Sequence, residues 1–244
     1  KEVIRLFNTL KTVPKEETFQ TIYEMIKKYH LSNSHKYGYA TYHCDSAKGL
    51  ASYNKDRYIE LRKAYNKREK DSAYYDFVFF VLTVYSFNNQ IRYNRNGEFN
   101  IPVGKRDFNK KMQENLANFI DQIKEKDINF IYDDFREVDF RQLSKGDFLY
   151  ADPPYLIATA TYNEQGGWTE KEEKDLLDLL DQLDGQRVKF ALSNVLEHKG
   201  EENQLLKEWA NNYHIHYLDY HYDNSNYQIK EKGLKTSEVL ITNY

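Results

Sequence analysis

The side chains best suited to chemistry form one short run, Asp152-Pro153-Pro154-Tyr155, which directly follows an apolar segment. That segment, Phe148 to Ala151, has the length and composition of a buried strand. Proline lacks a backbone N–H and restricts the residue before it, so we expect strand pairing to stop at Asp152. The strand tip then offers the Asp152 carboxylate, the Pro153 carbonyl and the flat Tyr155 ring. Two acceptors beside a stacking surface suit a planar group that carries an NH2.

A second chemically distinctive stretch lies between Phe87 and Gly104. Its Asn96-Gly97 pair is a strong signal for a two-residue hairpin turn. From Arg92 to Lys111 there are six Lys or Arg residues against two acids. An Arg fork and Asn amides on a protruding ribbon are the groups that read guanine and adenine edges in a major groove. A solvated hairpin with scattered charges is the open alternative.

Composition limits the class of protein. A chain of 244 residues suffices for one large α/β domain with an inserted lobe. The formal net charge is -3, so any contact with nucleic acid must come from a local patch. Cys44 is the single cysteine, which excludes an internal disulfide and a cysteine-cluster metal site and fits a reducing compartment. The most apolar run, Ala73 to Tyr85, is too short to span a bilayer, and no signal peptide is recognisable, so we expect a cytoplasmic protein without membrane contact.

Hydrophobic periodicity predicts a helical first part and an alternating second part. The predicted helices of the first part are Lys1 to Thr12, Glu16 to His30, Asp56 to Arg68, Ala73 to Tyr85 and Lys111 to Lys126. The predicted strands are Ile128 to Tyr132, Phe148 to Ala151, Val188 to Leu192, Ile215 to Tyr220 and Glu238 to Asn243. Helices from Thr169, where a capping box stands, and from about Asn203 alternate with these strands. The alternation indicates a mostly parallel sheet, with the last two strands as an antiparallel edge pair.

Taken together, these motifs resemble those of Dam-type DNA adenine-N6 methyltransferases, in the family's order along the whole chain. The matching segments are Asp152-Pro153-Pro154-Tyr155, Phe87-Asn88 through Arg92-Tyr93-Asn94 to Gly97–Gly104, Asp133-Asp134-Phe135, Leu192-Ser193-Asn194 and Glu238–Asn243. The resemblance implies an α/β methyltransferase-like fold, with a mostly parallel sheet flanked by helices and an inserted lobe of helices and a β-hairpin that recognises DNA. It divides the chain into residues 1–30, the remainder of the amino-terminal methyltransferase part, 31–125, the target-recognition lobe, and 126–244, the catalytic domain.

Three departures from the family pattern are visible. None of the ten glycines forms the Gly-x-Gly of the family's cofactor loop, so the first strands of the fold are expected to be missing from this chain. Asn89 stands where the family usually has Gly. Trp168 stands in a usual Phe position.

The resemblance also implies roles for particular residues. Asp152, Pro153, Pro154 and Tyr155 would be catalytic, with no metal. Asp134, Phe135 and Asp152 would bind S-adenosylmethionine. Asp134 would accept a hydrogen bond from the amine of the cofactor's own adenine. The implied DNA-binding residues are Phe87, Asn88, Arg92, Asn94, Arg95, Asn100, Pro102, Lys105 and Arg106. Among these, Arg92 would contact a base edge, Phe87 would wedge into the opened stack, and Lys105 and Arg106 would hold phosphates, together with Lys110 and Lys111.

Two residue pairs within the matching segments keep a structural alternative. Asp134 and Phe135 also fit a helix-start acid and a core aromatic. Ser193 and Asn194 also fit an N-cap pair after a strand.

The implied activity is transfer of a methyl group from S-adenosylmethionine to N6 of a flipped adenine in double-stranded DNA. The context would be restriction-modification or phage and host methylation, with a cognate restriction endonuclease acting separately; GATC is a common target in the family. Cytosine-N4 methylation remains an alternative, although a Ser commonly replaces the Asp there, so Asp152 argues against it. A non-catalytic DNA-binding fragment is the second alternative, favoured by the absent Gly-x-Gly. RNA methylation is the third, and the ribbon disfavours it.

Overall fold

A computed structural model of the chain describes residues 1–157, 167–218 and 236–244. The chain divides into two compact units, residues 1–132 and 133–244. The predicted functional division at residues 30 and 125 stays a prediction. The predicted strand end at Tyr220 lies outside the described residues.

The first unit is helical, as predicted. Its helices are α1 (Glu2–Thr12), α2 (Lys15–Lys28), the short α3 (Ser34–Tyr37), α4 (Ala51–Asn66), α5 (Ala73–Tyr85) and α6 (Lys110–Glu125). Helix α4 begins at Ala51 rather than Asp56, because its first turn buries Asn54, whose side chain binds Ser32.

Helix α5 lies at the centre of the first hydrophobic core, and α1, α2 and α4 contact it. Its N-cap is Ser72, which accepts a hydrogen bond from the Tyr75 amide. Its one charged side chain, Asp76, is buried but accepts hydrogen bonds from Arg5 Nε at 2.5 Å and Thr9 Oγ1 at 2.7 Å. The carboxylate is therefore paired, as burial requires.

The predicted strand from Ile128 to Tyr132 is wrong, since this segment is irregular. The backbone carbonyls of Ile128 and Phe130 accept hydrogen bonds from side chains of α1, those of Lys11 at 2.5 Å and Asn8 at 3.5 Å. The Phe130 ring packs on a Phe7 ring of the same helix. The apolar residues are thus anchored to a helix instead of a neighbouring strand.

The second unit contains a mixed sheet. Its strands are β1 (Phe148–Ala151), β2 (Lys189–His198), the two-residue β3 (Glu201–Glu202), β4 (His214–Leu218) and β5 (Thr236–Thr242). The order is β1-β2-β5-β4, and β3 pairs with β2. Strands β1 and β2 are parallel, whereas β5 runs antiparallel to both β2 and β4. The predicted antiparallel edge pair is confirmed, but a mostly parallel sheet is not, because β5 inserts between β2 and β4.

Two helices of the second unit pack on β2, namely α7 (Glu170–Gly185) and α8 (Gln204–Ala210). The predicted capping box of α7 is confirmed: Thr169 and Glu172 each bind the other's backbone. None of the helices in the described ranges combines the length and hydropathy that a bilayer span requires.

The strand β1 is less buried than the sequence predicts. Phe148 and Tyr150 are 54% and 58% exposed, while Leu149 and Ala151 face the second hydrophobic core. Within the described residues β1 pairs with β2 alone and forms an edge of the sheet. Its exposed and half-buried residues alternate, so one of its two faces is uncovered.

Candidate functional site

The tip of β1 has the geometry that its sequence predicts. Parallel pairing with β2 runs from Phe148 opposite Lys189 to Ala151 opposite Leu192 and ends before Asp152. A surface cavity of about 390 Å³ is lined by Asp152, Pro153, Pro154 and Tyr155. That volume lies within the range of small-ligand pockets. Among the described residues, the Pro153 carbonyl accepts no hydrogen bond, so it is available to a ligand.

The ring of Tyr155 is held beside the carboxylate by its hydroxyl. Tyr155 Oη donates to Asp152 Oδ1 over 3.3 Å and lies 3.3 Å from Ser193 Oγ on β2. Burial raises the pKa of the Tyr155 phenol, so the hydroxyl keeps its proton at neutral pH. The ring is thereby fixed at both strands and presents a stacking surface next to an acceptor.

The structure contradicts the N-cap interpretation of Ser193 and Asn194. Both lie inside β2, which continues to His198, well beyond the predicted end at Leu192. Ser193 faces Tyr155, whereas Asn194 is buried and donates to Glu173 Oε1 over 3.1 Å. Successive strand residues point to opposite faces, which explains their different partners.

Glu173, which accepts the Asn194 hydrogen bond, is a buried residue behind the candidate site that sequence reasoning missed. It is fully buried and belongs to the inward stripe of α7 with Leu176, Leu177, Leu180 and Leu183. An acid at a position of the 3.6-residue apolar repeat was the available signal.

Asp134 takes the helix-start arrangement that the sequence left as an alternative. It caps a short 3-10 helix, Phe135–Glu137, and both of its carboxylate oxygens accept from the Arg136 guanidinium, at 2.9 and 2.7 Å. The Arg136 hydrogen bonds lower the pKa of the Asp134 carboxyl to about 2. Arg136 also binds Glu172 and Asp175 of α7.

These residues fit an adenosine group. Asp134 Oδ2 accepts one hydrogen bond and keeps a lone pair for an amine N–H. The Phe135 ring is half-buried, with its centroid 5.9 Å from that of Trp168. An acceptor next to an aromatic pair suits a purine. No group of metal-ligating side chains occurs among the described residues.

The ribbon of the first unit is formed, but its turn differs from the prediction. Backbone bridges join Tyr93 to Phe99, and the Gly97 amide donates to the Asn94 carbonyl over 2.9 Å. Of the two predicted turn residues, Asn96 and Gly97, only Gly97 has a positive φ, of 74°. A two-residue type I′ turn needs a positive φ at both central positions. The Asn96 and Glu98 amides both donate to Asn94 Oδ1. This side-chain acceptor selects a three-residue turn with Gly97 as its left-handed residue.

The base of the ribbon is anchored in the first core while its tip is exposed. Phe99 and Ile101 are buried. Asn66 donates to the Phe99 carbonyl and accepts from its amide, both at 3.0 Å. Of the predicted DNA-binding residues, seven are exposed: Phe87, Asn88, Arg92, Arg95, Pro102, Lys105 and Arg106; Asn94 and Asn100 are half-buried.

Two of the ribbon amides are already engaged within the protein. Asn94 closes the turn, and its Nδ2 donates to Glu98. Asn100 holds Arg92, whose Nε donates to Asn100 Oδ1 at 2.9 Å and whose Nη2 donates to the Asn100 carbonyl at 3.2 Å. The structure therefore gives Asn94 and Asn100 supporting contacts and leaves part of the Arg92 fork exposed.

The Phe87 turn explains one departure from the family pattern. Asn88 and Asn89 have φ of 53° and 54°, a left-handed conformation that Asn tolerates better than most residues. Asn89 Nδ2 also donates to the Val84 carbonyl at the end of α5, over 2.9 Å. Asn can therefore replace the usual Gly here, and Phe87 remains 47% exposed.

Residues 6–224 match the family model of D12 class N6 adenine-specific DNA methyltransferases, and the chain belongs to this family. It is 42% identical to the modification methylase StsI of Streptococcus sanguinis, over 80% of this chain and 30% of that protein. It is 38% identical to the type II methyltransferase M.FokI of Planomicrobium okeanokoites, over 99% of this chain and 34% of that protein. A DNA adenine methylase of Vibrio cholerae is 27% identical over 57% of this chain and 51% of that protein. The chain spans about a third of the length of the first two relatives.

Proposed function

We propose that the protein transfers a methyl group from S-adenosylmethionine to N6 of an adenine flipped out of duplex DNA. The observation that carries the proposal is the strand tip, where the Asp152 carboxylate, the Pro153 carbonyl and the Tyr155 ring surround one cavity. Membership of the adenine-specific family and similarity to proteins named adenine and modification methylases support the same chemistry.

The strand tip would activate the adenine amine by hydrogen bonding. N6 is a weak nucleophile because its lone pair is delocalised into the ring. Donation of its two N–H groups to Asp152 and to the Pro153 carbonyl favours a pyramidal nitrogen with its lone pair free for attack. As the N–C bond forms and the S–C bond breaks to leave a neutral thioether, the Asp152 carboxylate would stabilise the positive charge that develops on N6. The methylated nitrogen then releases one of its protons to solvent, which restores a neutral amine. This is positioning and electrostatic stabilisation, and it needs no covalent enzyme intermediate.

The adenine must leave the helix to reach this tip. Enzymes that modify a base within a duplex flip it into a pocket, where stacking compensates for lost pairing. Tyr155 would stack on the extruded ring, and the exposed Phe87 would fill the opened stack as an apolar wedge. Asp134 and Phe135 would hold the adenosine part of the cofactor, and Asp152 would face its reactive end. The cofactor supplies the electrophilic methyl group when it is bound.

The ribbon would supply sequence recognition. Arg92 and Arg95 are exposed residues that would contact base edges, and Lys105 and Arg106 are exposed residues that would contact phosphates. In this reading residues 31–125 act as the target-recognition lobe and residues 126–244 as the catalytic part of a methyltransferase-like fold. The name modification methylase of one relative supports a restriction-modification context, and a cognate endonuclease that acts separately is part of the same proposal.

The central test is the substitution Asp152→Ala in the full-length protein. We expect methyl transfer to be abolished while duplex affinity changes little, because Asp152 would contact the flipped base and the cofactor but no other part of the duplex. Nucleosides from treated DNA are analysed by mass spectrometry, and affinity is measured by fluorescence anisotropy. Lys145→Ala, an exposed change close to the same strand, is the control and should retain activity.

The same assay separates the alternatives. If the product were N4-methylcytosine, the target base would be cytosine and not adenine. Duplex binding with no methylated product from the wild-type protein would favour a non-catalytic DNA-binding role. Turnover retained by Asp152→Ala would refute the catalytic assignment.

A further inference from the structure

The inner face of α7 carries one carboxylate in an otherwise apolar stripe. Glu173 has no exposed surface and precedes the buried Leu176 and Leu177. No ion pair joins it to any residue in the described ranges. Burying a carboxylate without a cation is costly unless its oxygens are fully hydrogen-bonded.

Three neutral side chains supply those hydrogen bonds. Trp168 Nε1 donates to Glu173 Oε2 over 2.7 Å. Asn194 Nδ2 and Asn203 Nδ2 donate to Glu173 Oε1 over 3.1 and 2.9 Å. All three partners donate and none accepts, which matches the acceptor-only character of an ionised carboxylate.

The donors come from three different elements. Trp168 precedes α7, Asn194 lies within β2, and Asn203 is the N-cap of α8, where its Oδ1 accepts from the Leu206 amide. A leucine at position 173 would pack in the same stripe but would leave three buried N–H groups without acceptors. The carboxylate therefore links α7 to β2, to the start of α8 and to the segment before α7. Its directional hydrogen bonds fix the relative positions of these elements more closely than apolar packing alone.

Two of the branches lead to the candidate site. Asn194 follows Ser193, whose hydroxyl contacts Tyr155 on the opposite face of β2. Trp168 packs against Phe135, next to Asp134. One buried carboxylate thus connects the ring expected to stack on the target base with the ring expected to contact the cofactor.

We propose that Glu173 is a positioning residue for methyl transfer, which aligns the Tyr155 surface and the Trp168–Phe135 pair through its three hydrogen bonds. The inference rests on the proposed function. Glu173 touches neither reactant and acts through Asn194 and Trp168. A displacement of about 1 Å in a reacting group costs about 100-fold in rate, so loss of this alignment should affect the chemical step more than binding.

The test uses Glu173→Gln in the full-length protein, in the wild-type and Trp168→Phe backgrounds. The Gln amide oxygen can still accept from Asn194 and Asn203, but its NH2 then faces the Trp168 indole N–H and repels it. Trp168→Phe removes that N–H and with it the repulsion, and it also removes the donor that Glu173 Oε2 binds. In that background Glu173→Gln therefore breaks no hydrogen bond of this oxygen and should cost less. Glu170→Gln, an exposed charge removal in the first turn of the same helix, is the matched control.

Single-turnover formation of N6-methyladenine is measured on unmethylated genomic DNA, with duplex affinity by anisotropy and stability by urea unfolding. We expect Glu173→Gln to lower the rate by about tenfold or more with unchanged duplex affinity and a folded population at the assay temperature. We expect the fold-loss caused by Glu173→Gln to be smaller in the Trp168→Phe background than in the wild-type background, and Glu170→Gln to behave as wild type.

A merely structural role predicts another pattern. A rate for Glu173→Gln equal to wild type, a loss that follows only the unfolded fraction, or an equal fold-loss in the wild-type and Trp168→Phe backgrounds would each overturn the positioning role. Those outcomes leave an active wild type. An inactive wild type would instead refute the proposed function, and this inference with it.

Discussion

The contact between Arg92 and Asn100 permits a quantitative prediction about sequence recognition. A guanidinium has five N–H groups. In the structure the Nε hydrogen and one Nη2 hydrogen point to Asn100, which leaves the Nη1 group and the second Nη2 hydrogen exposed. Those remaining hydrogens form the two-pronged edge that matches O6 and N7 of guanine. Arg92 is therefore pre-oriented for one bidentate contact.

Replacement of Arg92 by Ala should remove that contact. A bidentate base contact provides about 1–3 kcal/mol of discrimination, equivalent to about 5- to 150-fold in affinity. Asn100→Ala keeps the guanidinium but releases it, and ordering a long side chain costs about 0.5–1.5 kcal/mol, so its loss should be smaller and in the same direction. Arg92→Lys keeps the charge without the fork and should resemble Arg92→Ala in specificity.

The assay compares the affinity for an unmethylated duplex that contains the target sequence with the affinity for the same duplex carrying single base changes. The target sequence is first identified by sequencing genomic DNA methylated by the wild-type protein. Lys105→Ala is the contrasting control, because loss of a phosphate contact weakens all duplexes alike and lowers the salt slope by about 1. Equal losses on target and altered duplexes for Arg92→Ala, or a stronger effect of Asn100→Ala than of Arg92→Ala, would refute base reading by this fork.

Two further predictions concern the supports of the site. A Cβ at Gly104 would lie within 2.3 Å of the Ser86 carbonyl oxygen, so Gly104→Ala should lower the free energy of unfolding by about 1–3 kcal/mol in urea titrations, whereas Gly185→Ala, which meets no atom, should not destabilise. Because Arg136 depresses the folded-state pKa of Asp134 to about 2, below its unfolded value, the stability it contributes is present above about pH 4 and is lost as the pH falls towards 2. In Asp134→Asn the free energy of unfolding, measured by urea titration, should therefore fall less between about pH 4 and pH 2 than in the wild type. The same pH dependence in both proteins would contradict the pairing of Asp134 with Arg136.

The sequence alone determined the features that depend on neighbouring residues. The Asp152-Pro153-Pro154 run ended the pairing of β1 because proline cannot donate to a ladder, whatever surrounds it. Thr169 began α7 because its hydroxyl and the Glu172 carboxylate form the predicted capping box. Motif order was likewise readable, and it pointed to the family that the comparison then established.

Tertiary structure decided the features that depend on distant partners. The apolar segment from Ile128 to Tyr132 had strand composition, but α1 supplied its hydrogen-bond donors, so it remained irregular. Strand β2 passed through Ser193 and Asn194 because β5 pairs along its length, which no local signal reveals. The ribbon has a three-residue turn instead of the two-residue turn predicted from Asn96-Gly97, because the Asn94 side-chain oxygen accepts hydrogen bonds from the Asn96 and Glu98 amides.

Glu173 shows the same division most clearly. Its place in the apolar repeat of α7 marked it as a buried acid, which is local information. Its purpose required three donors from a loop, a strand and another helix to meet at one point. Hydrogen bonds act over about 3 Å, so sequence specifies which groups can bond, and only the packed chain decides which of them meet.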